Sequence, residues 1–424
     1  MDNRLDVSLY DVILCLSDTL DLISKTVVGH HEQVAYIASM LGEEMELSQD
    51  DKKNLTLAAF LHDVGAFYLN EGINNLRFDK EDDYHARVGY HLLMNSKPLS
   101  EIAPIVRYHH YDWSYGKGQT YNGEKVPLTA HVLHLADRIA VLIKSGADIL
   151  NQRDKITRLI EMNSGNKFWP DAVEAFKRIQ EKEYFWLNII SPKAIKGPLD
   201  AYNDIKRNYL GLEGLAELTK LFSQVIDFRS PFTATHSDGV AATATTLASS
   251  LGYSGNEILM MKIAGYLHDL GKLAVPVKIL EKPGKLTREE YNIIKSHTYY
   301  TYQVLDNLKE LAIIKQWASY HHERLDGNGY PFHLDSKDLP QGSRIMAVAD
   351  VFTAITEDRP YRSGMGKEQA IKVLQSMASE GHLDQEIVEL LLDNYTEFDQ
   401  IRNHSQHSES KSYQEFREAV NGLN

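Results

Sequence analysis

Histidine and aspartate recur along this 424-residue chain in an order and at spacings suited to holding divalent cations. His236, His268-Asp269, His297, His321-His322 and Asp350 form one set; His30, His62-Asp63, His85, His109-His110 and Asp137 form another. Matching members are offset by 206, 206, 212, 212 and 213 residues, and the two sets take ten of the chain's 18 histidines. A lone histidine is usually a core or surface residue, and a single His-Asp pair says little. Five elements recurring in order, twice, mark an internal repeat whose repeated element is metal-site chemistry. The donor types fit: each neutral imidazole supplies one nitrogen, and a carboxylate can bridge two cations with its two oxygens. Cys15 is the only cysteine, which excludes thiolate sites and any intrachain disulfide.

The elements that must position these donors read as amphipathic helices, with little strand-like alternation. Apolar residues fall at three- and four-residue intervals over Val173 to Ile179, Leu215 to Ile226 and Gln369 to Met377. His268-Asp269 closes an apolar helix that runs into glycine in YLHDLGK, so the pair is presented from a helix C-terminus. The segment SPKAIKGP at 191–198 breaks helical periodicity and is the expected linker, with the first domain ending near Ile190 and a connecting helix from about Ala201. Gly165, Phe168 and Asp171 align with Gly381, Leu383 and Asp384, each group opening a terminal amphipathic helix. The polar stretch Asn403 to Ser412 is expected to loop before a short C-terminal helix. The expected fold class is all-α, two helical bundles related by internal duplication, with domains at 1–195 and 196–424. That length suits two domains of about 200 residues.

Hydrophobic content of 43% and charged content of 25% are ordinary for a globular protein. A net charge of −14 argues against a binder of polymeric nucleic acid, while leaving room for a small anionic substrate held by local cations. Acidic residues interrupt the first apolar stretch and no basic leader precedes it, so a signal peptide is not expected. No run approaches 18 uninterrupted apolar residues, so no membrane insertion is expected either. A cytoplasmic protein is the expectation.

The order His…His-Asp…Asp resembles the HD phosphohydrolase superfamily, and HHERLDGNGYP at 321–331 resembles its HD-GYP subfamily. The resemblance covers about Ile226 to Leu392 and rests on THSDGVA at 235–241, HDLGK at 268–272, the GYP segment and ADVFTAITEDRPYR at 349–362. It implies a helical bundle with a centre of two or three divalent ions, usually iron or manganese, and hydrolysis of 3′,5′-cyclic dinucleotides. By similarity His236, His268, Asp269 and Asp350 would hold one ion. Asp269 would bridge to a second ion held by His297, His321 and His322. Three-metal members carry a glutamate four residues before the first histidine; Phe232 stands there, so two ions are expected. Lys272 would contact the scissile phosphate as a point charge. Arg359 and Arg362 would grip the second phosphate or a base through their forked donors. Gly327, Gly329, Tyr330 and Pro331 would form a loop that shapes the site or meets a partner, a second copy of the chain included.

The first copy keeps every ligand position and loses what surrounds them. HDLGK becomes HDVGA, placing Ala66 where the lysine would be, HHERLDGNGYP becomes HHYDWSYGKGQ, and Gly146 stands at the Arg359 position. Residues 1–195 therefore read as a degenerate, regulatory HD domain that can bind metal at His30, His62, Asp63, His85, His109, His110 and Asp137. His31, His91, His131 and His134 have no counterpart histidines and read as structural or surface residues. The tandem arrangement resembles bacterial enzymes acting on 3′,3′-cyclic GMP-AMP, whereas the wider subfamily more often acts on cyclic di-GMP. The implied reaction is attack of a metal-bridging hydroxide to give a linear 5′-phosphorylated dinucleotide. The alternatives are another HD-type nucleotide phosphohydrolase and a non-catalytic signalling adaptor.

Overall fold

Helices account for almost all regular structure, as the apolar spacing requires, and the chain divides into two compact units: Ser8–Tyr209, and Leu210–Asn424 with Met1–Val7. The computed structural model describes residues 5–21, 29–68, 83–144, 146–191, 208–228, 234–282, 284–358 and 363–421. The expected boundary at 195, most of the 191–198 break and the expected helix start at Ala201 lie outside the described residues. The next described helix begins at Leu212.

The first unit contains α1 (Leu9–Asp21), α2 (His30–Glu44), α3 (Gln49–Leu61), α4 (Tyr84–Met94), α5 (Ala103–Arg107), α6 (Leu128–Leu142), α7 (Ile149–Met162), α8 (Pro170–Gln180) and α9 (Glu183–Ile189). Helix α2 packs on α3 and α6, burying Ile37, Leu41, Leu55, Phe60, Val132, Leu135 and Ile139. Each such side chain contributes about 1.5–3 kcal/mol through the apolar surface it removes from water. A short hairpin, Thr120–Tyr121 against Glu124–Lys125, turns through Asn122 and Gly123, both at positive φ, the requirement that Asn-Gly meets.

The second unit contains α10 (Leu212–Asp227), α11 (His236–Ser250), α12 (Gly255–Leu267), α13 (Val277–Leu280), α14 (Arg288–Leu305), α15 (Ala312–Ser319), α16 (Gln341–Thr356), α17 (Lys367–Ser379), α18 (Gln385–Asp393) and α19 (Tyr395–Asn421). Helix α11 is its centre, packed by α12, α16 and α19. Sequence-coded caps fix the helix starts: Ser254 with Glu257 and Thr287 with Glu290 are reciprocal capping boxes, and Asp384 accepts from Glu386 N and Ile387 N. Each cap contributes about 1 kcal/mol by satisfying amides that the helix leaves open.

The expected loop at Asn403 to Ser412 does not exist; α19 runs through it without a break. Its buried stripe is Tyr395, Phe398, Arg402, Gln406, Glu409, Tyr413, Phe416 and Val420, a helical repeat whose middle is polar. Those polar members find internal partners, Gln406 on Thr235 O and Glu357, and Glu409 on Lys220 and Gln224, so the helix is held where hydropathy shows no periodicity. Among the described residues no helix is long and apolar enough to cross a membrane.

Candidate metal centre

Five elements of the second unit deliver the histidines and aspartates to one place. His236 opens α11, His268 caps α12 with Asp269 next to it, His297 lies within α14, His321 and His322 follow α15, and Asp350 lies on α16. His236 Nε2 lies 3.2 Å from Asp350 Oδ1 and 4.0 Å from Asp269 Oδ2, and His268 Nε2 lies 3.1 Å from that same Asp269 oxygen. The other oxygen, Oδ1, lies 3.5 Å from His297 Nε2, which is 3.3 Å from His321 Nε2. His322 Nδ1 faces Asp350 Oδ2 at 3.9 Å. Asp269 thus turns one oxygen toward the His236–His268–Asp350 group and the other toward the His297–His321–His322 group.

The rings are aimed by their own helices. Nδ1 of His268 donates to Gly265 O at 2.7 Å, that of His297 to Ile294 O at 2.6 Å and that of His321 to Ala318 O at 2.6 Å. A carbonyl three residues back consumes the Nδ1 hydrogen, which leaves the Nε2 lone pair pointing into the centre. His236 is held differently, with Nδ1 3.1 Å from Glu357 Oε2. The glycine of HDLG is also required by packing: a Cβ on Gly271 would sit 2.0 Å from His297 O. Only glycine lets the turn after Asp269 lie against α14.

The first unit repeats this geometry. His30 Nε2 lies 3.2 Å from Asp137 Oδ1 and 4.0 Å from Asp63 Oδ2; His62 Nε2 lies 3.2 Å from Asp63 Oδ2; His85 Nε2 lies 3.3 Å from Asp63 Oδ1 and 3.3 Å from His109 Nε2. His62 and His109 donate Nδ1–H to Ala59 O and Val106 O, and a Cβ on Gly65 would meet His85 O at 2.1 Å. His268 Nε2 and Asp269 Oδ1 in one unit, and His30 Nε2, His62 Nε2, Asp63 Oδ2 and Asp137 Oδ1 in the other, are buried without a hydrogen bond of acceptable geometry. Converging nitrogen and carboxylate donors of that kind are what a divalent cation satisfies, so the residues present fit the implied metals in both units.

Electrostatics separate the groups. Burial opposes charge on Asp269, but His268 and Lys272 hold its carboxyl well below the usual range. Burial pushes His297 down to about 3 despite Asp269, and burial with the neighbouring His322 pushes His321 well down too, so both rings are neutral at pH 7. Burial also works against charge on His236, yet Glu357 and Asp350 outweigh it and raise that ring to about 10. Lys272 pairs with Asp269 Oδ2, which raises its ammonium against the effect of burial. In the first unit burial brings His109 down to about 3, and burial is overcome at Asp63 by His62 and at Asp137 by Arg138.

All seven expected metal ligands of the second domain, and all seven of the first, therefore come together, with Lys272 beside the second domain's set. Arg359, Arg362 and Phe232 lie outside the described residues. Tyr330 packs its ring 4.9 Å from that of His322, and its amide donates to His322 O at 3.1 Å, so the GYP loop buttresses an expected ligand. Glu323 holds that loop by accepting from Phe332 N at 2.6 Å and Leu334 N at 3.1 Å. Sequence reasoning passed over Glu323 and Glu357. Glu357 stands seven residues past Asp350, on the same face two turns on, which is the signal that could have found it. His31, His131 and His134 are buried and His91 is partly exposed; of these, His31 turns its Nε2 to within 4.0 Å of Asp63 Oδ2, at the first unit's donor cluster.

Residues 220–387 match the family model described as HD domain, and residues 27–142 match a second model with the same description. The chain is similar over 93% of its length, at 29% identity, to 3′3′-cGAMP-specific phosphodiesterase 1 of Vibrio cholerae, of which 94% is covered. It is 39% identical to 3′3′-cGAMP-specific phosphodiesterase 2 of that organism over 44% of the chain and 36% of the relative. It is 35% identical to the cyclic di-GMP phosphodiesterase response regulator RpfG of Xanthomonas campestris over 44% of the chain and 49% of the relative. Among solved structures, a cyclic GMP-AMP specific phosphodiesterase of V. cholerae superposes with a TM-score of 0.64 at 22% identity, covering 92% of this chain and 98% of the other, which establishes the shared fold.

Proposed function

The chain belongs to the HD phosphohydrolase superfamily, as two HD domains in tandem with the second of the HD-GYP type, and from that premise we propose that the second domain hydrolyses a 3′,5′-cyclic dinucleotide. The observation that carries this reading is Asp269, whose two oxygens divide between two imidazole groups while Lys272 stands at the same carboxylate. In this reading His236, His268, Asp269 and Asp350 hold one divalent ion, and Asp269, His297, His321 and His322 hold a second. Iron or manganese bound there would supply a water of lowered pKa and positive charge for a phosphoryl oxygen.

The chain's own groups do the rest. Lys272 places an ammonium against the scissile phosphate and stabilises the charge that builds there. Glu357 keeps His236 in one orientation, and the carbonyls of Gly265, Ile294 and Ala318 do the same for the other rings. Arg359 and Arg362 would take the second phosphate or a base through forked donors. The product would be a linear 5′-phosphorylated dinucleotide. Similarity along almost the whole length to a 3′3′-cGAMP-specific enzyme favours 3′,3′-cyclic GMP-AMP over cyclic di-GMP. Residues 1–195 are read as regulatory and 196–424 as catalytic, in the cytoplasm, with the GYP loop as the candidate surface for a partner or a second copy.

The test is a chromatographic time course, with manganese or ferrous iron supplied anaerobically, that offers cyclic di-GMP, 3′,3′-cyclic GMP-AMP and cyclic di-AMP side by side. The expected result is a linear 5′-phosphorylated product, formed fastest from 3′,3′-cyclic GMP-AMP. Three intact substrates with metal demonstrably bound would overturn the reading. Release of phosphate or pyrophosphate from nucleoside polyphosphates would then put another HD-type hydrolase in its place.

A further inference from the structure

The two units differ at the residue following the last aspartate: Arg138 in the first, Val351 in the second. Arg138 is buried and forks onto Asp137 Oδ2, with Nη2 at 2.7 Å and Nε at 3.0 Å. The same Nη2 lies 3.0 Å from His110 Nδ1. A guanidinium only donates, so His110 Nδ1 must accept, and a neutral ring then carries its hydrogen on Nε2. That Nε2 lies 3.0 Å from His85 Nε2, which places an N–H where a cation held by His85, His109 and His110 would need a lone pair. Turning the tautomer round would set an Nδ1–H against the guanidinium, donor against donor. Asp137 loses the use of Oδ2 as well. In the second unit the equivalent oxygen of Asp350 faces His322 Nδ1, an arrangement that supports a ligand.

We propose that the first domain is a one-metal site: His30, His62, Asp63 and Asp137 take a single divalent cation, and Arg138 stands in for the second ion and closes the His85–His109–His110 pocket. The remaining donors agree. Asp137 Oδ1 faces His30 at 3.2 Å and His62 at 3.8 Å, and Asp63 Oδ2 faces His62 at 3.2 Å. Two nitrogens and two carboxylate oxygens give one ion four donors, and His31 Nε2, 4.0 Å from the same Asp63 oxygen, faces that cluster as well. Such a site has no pair of cations to activate a water between them, which makes it a structural or regulatory metal site and not a second hydrolytic centre. The proposal rests on reading the repeat as metal sites and is independent of the substrate.

The experiment counts metal on the full chain. Protein carrying His268→Ala and Asp269→Ala, which removes the second domain's ions, is loaded anaerobically with manganese, desalted and assayed by mass spectrometry and electron paramagnetic resonance. About one ion per chain with the hyperfine pattern of an isolated Mn(II) is expected, rising to about two with an exchange-coupled spectrum when Arg138→Val is added. Adding Asp63→Asn instead should lower the count to about zero. Arg138→Met, similar in length and unable to donate, carries the same expectation as Arg138→Val if the shorter side chain leaves the domain unfolded. About two ions with Arg138 intact, no ion at all, or one ion unchanged by either Arg138 substitution would each overturn the proposal. Hydrolysis by the wild-type chain is decided in the second domain, so a failed count here and a failed time course there are separate results.

Discussion

The two HD domains hold their donors at nearly the same separations and place a cation differently, half-buried Lys272 in one and buried Arg138 in the other. In the second, Lys272 pairs with Asp269, the carboxylate that spans both imidazole groups. In the first that position is Ala66, and Arg138 pairs instead with Asp137. The donor framework is set by backbone geometry: helix ends, carbonyls three residues back and the Gly65 and Gly271 contacts recur in both. In the proposed reading, reactivity is set by which carboxylate the internal cation meets. On that reading the Lys272 ammonium at Asp269 would turn to a substrate phosphate, whereas the Arg138 guanidinium is held by Asp137 and His110.

The most severe way to probe that comparison is to remove the bridging carboxylate from each domain in turn. Asp269→Ala should lower turnover by more than about a thousandfold, beyond the 10²–10³ expected for one lost electrostatic contact, because both ions lose a ligand. Asp63→Ala should leave turnover within about threefold while lowering the metal content of the chain. Rates and metal analysis on the same preparations decide it, and reversed effects would assign catalysis to the wrong domain.

Next in size is the internal cation. Lys272→Ala should lower kcat by about 10²–10³ with metal content retained, since the ammonium acts on charge that develops in the reaction. If the loss appeared only in KM, Lys272 would be a binding group with no preference for the transition state.

Much of this was legible because chemical type survives where packing detail does not. The histidines and aspartates of both sets could be named from order and spacing, since donor type recurs in both copies and the structure brings each set together. Arg138 was hidden in plain view: an adjacent Asp-Arg pair reads as surface charge until α6 is seen to bury it. The first copy's loop also looked lost, because HHYDWSYGKGQ has no GYP. Part of its backbone character persists, although Ser114 and Tyr115 also take positive φ there and its glycines stand one residue later after the His-His pair. Gly116 and Gly327 both take positive φ, and a Cβ on Gly118 would meet Asp112 O at 2.0 Å as one on Gly329 would meet Glu323 Cα at 2.4 Å. What is gone is the Tyr330 ring against His322. The path of α19 was illegible for the opposite reason, since Arg402, Gln406 and Glu409 make the middle of its inner face polar and the pairing that holds Gln406 and Glu409 lies far away in sequence.

A smaller effect is expected at the support of His236. Glu357→Gln removes the carboxylate at Nδ1 and should weaken metal affinity by about 10–100-fold, with kcat recovering when metal is saturating. The aligned position of the first copy is Lys144, which is exposed, so Lys144→Glu should leave the first domain's metal affinity unchanged. Titration of both variants with manganese gives the two affinities, and a kcat that stayed low at saturating metal would assign Glu357 a role beyond holding the ring.

The smallest expected effect is none. Ala66→Lys rebuilds HDVGK in the first domain and brings an ammonium to Asp63 as Lys272 comes to Asp269. If the first domain lacked only that lysine, the change would add a second active site, measurable in an Asp269→Ala background where the second domain is silent. The geometry predicts no hydrolysis there. Arg138 still occupies Asp137 Oδ2 and His110 Nδ1, so a phosphate would meet one metal and a lysine, without the pair of cations that activates water. Adding Arg138→Val to Ala66→Lys removes that obstruction, and any activity that emerges only in the combined variant would locate the difference between the domains in those two positions. Activity from Ala66→Lys alone would instead place it in the lysine and leave Arg138 a bystander.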